Sequence, residues 1–183
     1  MGWIAGATGV LFALALVLLA AFFATKNERF DRVAEWCFVA FGVLAIPAIL
    51  TTAGKLPGGG LLMQAATVAG LAGAVAVGLG ELGSSLKIVD FRRIAPIVTL
   101  GFFAFLAWIG VTSVVIVTGG VLPLNLGWLG IATIAAGGLI VGWMASRPGV
   151  LSGRAEPPMA AMVAFFVPMA GIVAWMIWLG SSL

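Results

Sequence analysis

Every charged residue of this chain lies in segments 26–35 and 81–93, in 147–156, or at Lys55. Between these points run apolar stretches of a length that fits a bilayer, about 20 residues each. With 8 % charged residues and 63 % hydrophobic ones, the chain has too little polar surface to cover a water-facing globule, which ordinarily carries about 25 % charge. Soluble and disordered classes are thereby excluded, and the sequence predicts an all-α, polytopic transmembrane bundle forming a single membrane domain over 1–183. Six spans are expected near 3–25, 33–53, 61–83, 95–118, 124–145 and 158–180. The apolar run at the start has no basic segment before it and no small-residue cleavage site after it, so it reads as a retained helix.

Basic residues choose sides. Lys26, Arg29 and Arg32 occupy the first joining segment, Lys87, Arg92 and Arg93 the third, and Arg147 and Arg154 the fifth. The second holds only Lys55, and the fourth and both termini hold none. The positive-inside rule then puts the odd-numbered loops in the cytoplasm and both termini outside. The eight cations of the odd loops are expected at lipid headgroups or a partner's surface. Trp3, Trp128, Trp175 and Trp178 fall at expected outer ends and Trp36 and Trp143 at inner ends, as an interfacial aromatic belt requires. Trp108 falls mid-span. The expected location is a bacterial plasma membrane.

Lys26, Lys87 and Arg147 open the basic loops at an interval of 60 to 61 residues. Similar tetrads follow each: Phe38-Val39-Ala40-Phe41, Phe102-Phe103-Ala104-Phe105 and Met162-Val163-Ala164-Phe165. Three pseudo-repeated helical hairpins would produce this spacing, although apolar helices draw on few residue types and short matches also arise by chance.

Small residues recur every fourth position in the third span (Ala66, Gly70, Ala74, Gly78) and in the fifth (Gly138, Gly142, Ser146). A second row, Ala65, Ala69 and Gly73, lies beside the first. Such strips let helix backbones approach closely, so these two helices are expected at the bundle centre. Pro47 and Pro168 fall inside spans and are expected to bend them.

Chemistry is limited by what is missing. Without histidine and with one cysteine, Cys37, there is no disulfide, no histidine-ligated metal or haem and no histidine-based triad. The acids are scattered, and no cofactor or nucleic-acid partner is expected. Four residues remain as candidates for function or ligand contact. Glu81, near the inner end of the third span, reads as an interfacial ion-pair partner of Lys87 or Arg92, or more sharply as a proton or cation site. Glu35 belongs to a charge-balanced elbow in which Asn27 or Asp31 can cap a helix. Trp108 needs a partner for its N–H, with Thr112, Ser113, Gln64 and Asn125 available. It either packs between helices or lines an apolar pocket with Phe105 and Gln64. A serine–lysine pair of Ser84 or Ser85 with Lys87 is discounted, because a solvated lysine stays protonated. The composition favours a non-catalytic subunit, assembly factor or scaffold that packs against other membrane helices, in a homo-oligomer or larger complex. A small transporter or channel for an apolar or small solute is the alternative.

The topology is directly testable. With Cys37 replaced, single cysteines at Gly59 and Ser182 should label from outside, and those at Ser85 and Ser152 from the cytoplasm. Cytoplasmic labelling at Ser182 would contradict the arrangement.

Overall fold

The computed structural model describes residues 2–56, 59–146 and 159–183, with side chains at 91, 92, 144, 145 and 159–165 left undescribed. Six helices follow one another: α1 (Gly2–Thr25), α2 (Glu28–Lys55), α3 (Gly60–Ser85), α4 (Phe91–Gly119), α5 (Leu124–Ala145) and α6 (Met159–Ser182). In hydrocarbon a chain must satisfy its own N–H and C=O groups, and a helix does so within one segment. Helices α1 to α5 are each long and apolar enough to cross a membrane; the apolar part described for α6, Phe166–Ser182, is shorter.

Two helices begin earlier than the apolar pattern alone predicts. Helix α2 starts at Glu28 because the Asn27 side chain caps it, accepting a 3.1 Å hydrogen bond from the Arg29 N–H. Glu28 and Asp31 then occupy its first turn, where the helix dipole favours acids. Helix α4 starts at Phe91, so Phe91 to Ile94, ahead of the expected fourth span, are already helical. Pro47, Pro168 and also Pro96 lie inside their helices.

Each helix packs on its neighbours in sequence, and α6 returns to α1. The result is a closed ring, not a bundle wrapped around a central helix. Side chains fill its axis. Phe12 of α1 stacks near Phe41 of α2 at 4.8 Å between centroids. Phe41 lies 6.4 Å from Phe102 and 5.3 Å from Phe105, both of α4. Phe105 meets Trp108 at 5.3 Å, and Trp108 meets Trp175 of α6 edge-on at 5.5 Å. With Phe38 against Phe12 and Phe102, the rings form one continuous column linking α1, α2, α4 and α6. Phe38 and Phe41 of the first tetrad thus meet Phe102 and Phe105 of the second, while Phe103 is exposed. The third lies outside the described side chains.

Lys26 and Lys87, which open the first two basic loops, also share a left-handed backbone with φ of 55°. Each follows the last turn of a helix, where that conformation closes the free carbonyls and glycine is the usual occupant. After α3 the closure is complete: Lys87 N–H donates to Ser84 O and Ile88 N–H to Gly83 O. Arg147 lies outside the described residues.

Small residues make the seams. A methyl on Gly42 would sit 2.7 Å from Gly78 Cα and 2.8 Å from Ala74 O, so α2 and α3 touch backbone to backbone there. Gly70 admits the Trp108 ring, and Gly73 faces the Gly101 carbonyl of α4. At the ring closure Gly180 packs on Gly6 and Gly2. The first expected row is therefore an interface, with Ala66, Gly70, Ala74 and Gly78 all buried.

The row expected in the fifth span is not. Gly138, Gly142 and Ser146 are exposed, and a methyl on either glycine would meet nothing within 4 Å. The face of α5 that packs inside the ring carries Gly127, Gly130 and Thr133 instead. Neither α3 nor α5 occupies a centre, because a closed ring has none. Large apolar side chains such as Val17, Val68, Leu100 and Leu139 point outward, where lipid is their natural solvent.

This division of the glycines predicts opposite outcomes for one substitution. Gly42→Leu should destabilise the protein by about 1–3 kcal/mol or prevent its folding, as overpacking does. Gly138→Leu should leave the thermal midpoint of the isolated chain within about 2 °C, on the scale of surface substitutions. Equal midpoints would contradict a backbone contact between α2 and α3 at Gly42.

Candidate functional site

Polar side chains converge where α1 ends, α2 begins and α3 ends. The elbow between α1 and α2 consists of Lys26 and Asn27, short enough to hold the two helix ends together. Two turns into α2, the Glu35 carboxylate accepts hydrogen bonds from two consecutive hydroxyls at the end of α3, Ser84 Oγ at 2.9 Å and Ser85 Oγ at 3.2 Å. Both oxygens of the carboxylate are used, one by each serine, so its plane is fixed. The serines are thereby committed to an acid and not to Lys87.

Glu81 lies one turn before Ser85 and is 6 % exposed. Its electrostatic neighbours are Glu35 and Asp31, not a base. Among the described residues, no hydrogen bond or ion pair reaches it, which corrects the expected pairing with Lys87; the Arg92 side chain lies outside the described residues. Lys26 likewise turns away from the acids, holding its amine 5.6 Å from the Phe23 ring centre and 6.0 Å from that of Phe22. Lys26, Arg29, Arg32, Lys87 and Arg93 are all exposed at this end of the bundle. Arg147 and Arg154 lie outside the described residues.

Two hollows open here. One, of about 460 Å³, is lined by the three cations Lys26, Arg32 and Lys87 and by the three acids Glu28, Asp31 and Glu35. The Ser84 and Ser85 hydroxyls and Phe22 complete its wall. The other, of about 710 Å³, follows the outer side of the elbow past Arg29 and Val33. Among the described residues, no three acids or thiols converge as a metal would need.

A second polar cluster lies deep in the ring. Trp108 is fully buried, as its mid-span position suggests, but neither Thr112 nor Ser113 serves as its acceptor. Thr112 donates to Met63 Sδ at 3.9 Å. Gln64 and Asn125 are exposed, so Gln64 does not line a pocket with Trp108. Trp175, expected in the interfacial belt, is instead wholly buried beside Trp108. It fits because Gly130 has no side chain: a methyl there would collide with Ser113 Oγ and lie 2.8 Å from Trp175 Nε1. Trp108 Nε1, Trp175 Nε1 and Ser113 Oγ have no hydrogen-bond partner among the described residues. The other buried hydroxyls that line the seams close on their own helices, Thr8 on Ile4 O at 2.8 Å and Thr133 on Leu129 O at 2.8 Å.

Two of the four candidates, Glu35 and Glu81, are therefore brought to one place. Sequence reasoning missed Ser84 and Ser85 as partners of Glu35, since the contact joins positions 49 and 50 residues apart. Comparisons with protein-family models, with curated proteins and with solved structures return no match for this chain.

Proposed function

We propose that this chain is a non-catalytic integral membrane subunit or scaffold that works by packing against other membrane helices. The observation that carries this reading is the filled axis. The aromatic column occupies the space that a solute path through the ring would need, from Phe38 to Trp175. What is left open faces outward. The row Gly138, Gly142 and Ser146 lies exposed on α5, and a partner backbone can approach such a row closely enough for dispersion contacts to accumulate. The partners on this reading are membrane lipid and the helices of a second copy or of a larger complex, in what we take to be a bacterial plasma membrane.

One observation favours a small transporter as a second reading. Glu81 is a buried acid with no cation among the described residues, and acids so placed in membrane proteins often serve ion pathways. Reconstituted vesicles separate the two: proton-linked flux in wild type that disappears in Glu81→Gln would favour the transporter.

The subunit reading is tested by size in native lipid. Extracted with its surrounding membrane by a styrene–maleic acid copolymer, wild type should travel in a particle holding more than one 18.7 kDa polypeptide. Gly142→Leu should release a folded single chain. A wild type that travels alone, unchanged by the substitution, would contradict the proposal.

A further inference from the structure

The smaller hollow presents both signs of charge without letting them neutralise each other. Lys26, Arg32 and Lys87 share its wall with Glu28, Asp31 and Glu35, yet no ion pair within 4 Å joins these described residues. Geometry keeps them apart. The Lys26 amine rests over two phenylalanine rings, and Glu35 is held by Ser84 and Ser85. Glu35 and Asp31 also act electrostatically on Glu81, which is 6 % exposed, has no donor among the described residues and is not part of the wall.

Ligand classes can be sorted against this arrangement. A simple anion meets as many carboxylates as cations on the wall, so it gains no net attraction. A bare metal ion lacks three converging ligands among the described residues. A zwitterion satisfies both sides at once. Its positive end has to donate hydrogen bonds, because the half-buried Asp31 and Glu35 carboxylates are strong acceptors that an N–H donor satisfies as well as a charge does. That requirement selects a primary ammonium over a quaternary one. Its negative end has to suit a set of lysine and arginine, as phosphate does. The hollow also sits where α1 and α3 give way from apolar residues to charged ones, the level at which headgroups lie.

We propose that this hollow binds a phosphoethanolamine group, with its ammonium at Asp31 and Glu35 and its phosphate among Lys26, Arg32 and Lys87. The chemistry is shared by the headgroup of a phosphatidylethanolamine and by free phosphoethanolamine. The proposal is independent of whether the chain is a subunit or a transporter.

The test uses the purified full chain in detergent and follows its thermal midpoint during titration. The probes are short-chain diacyl lipids with identical acyl chains and phosphoethanolamine, phosphocholine or phosphoglycerol headgroups, together with free phosphoethanolamine. The phosphoethanolamine lipid should raise the midpoint saturably, at concentrations at least five-fold below the other two lipids. Glu35→Gln and, at the exposed rim, Lys87→Gln should each weaken that response about ten-fold. The Lys87 variant keeps the test decisive if Glu35→Gln does not fold. A matching response to free phosphoethanolamine identifies a soluble ligand, and a response confined to the lipid identifies a membrane source; either supports the site. Equal responses to all three headgroups, or a preference unchanged in Lys87→Gln, would overturn it.

Discussion

Lipid tails are as apolar as leucine, so burying a leucine between helices in a membrane gains little from the hydrophobic effect. Close packing has to hold this fold together, and the arrangement of side chains follows from that need. Bulky aliphatic residues such as Val17, Val68 and Leu100 are left outside, where lipid accommodates them. Glycine and alanine take the seams, allowing α2 and α3 to meet at Gly42 and Gly78. Aromatic rings take the axis. Buried aliphatic side chains such as Ile109, Ile116 and Met176 share the core with them, and the offset or edge-on contacts of the rings add to their dispersion energy.

Charge is handled by the same logic. Acids and bases are placed beyond the apolar lengths, and at one end they collect around the α1–α2 elbow and the last turn of α3. The two serines there bring a carboxylate into a fixed position, which couples the start of the second helix to the end of the third. Left-handed Lys26 and Lys87 complete the two helix ends and leave their amines at the rim. A structural clamp and a ligand-binding wall are thus made from the same residues.

Much of this was legible from residues alone, because lipid imposes length and side on every span. The helices match the apolar runs, Asn27 caps where a short polar side chain precedes a helix, and the Ala66 to Gly78 row packs as its spacing indicates. What was not legible depended on rotation about a helix axis. Apolar residues on all sides of α5 give no moment to orient it, so Gly138 and Gly142 were indistinguishable from Gly127 and Gly130. Trp175 read as an interfacial residue for the same reason: its burial depends on the absence of a side chain at Gly130, a helix away. Glu81 is not paired with Lys87 because Lys87 turns to the rim with the helix-end backbone.

Unfolding of Phe41→Ala in lipid or mild detergent probes the aromatic axis most directly. Phe41 is fully buried among Phe12, Phe102 and Phe105. Because transfer from lipid contributes little, the loss is that of the cavity, about 2 kcal/mol for roughly 100 Å³ at 24 cal/mol per Å³. Phe23→Ala, on an exposed ring, should cost less than about 0.5 kcal/mol. That difference is the predicted result. Equal and small losses at both positions would contradict a packed aromatic axis.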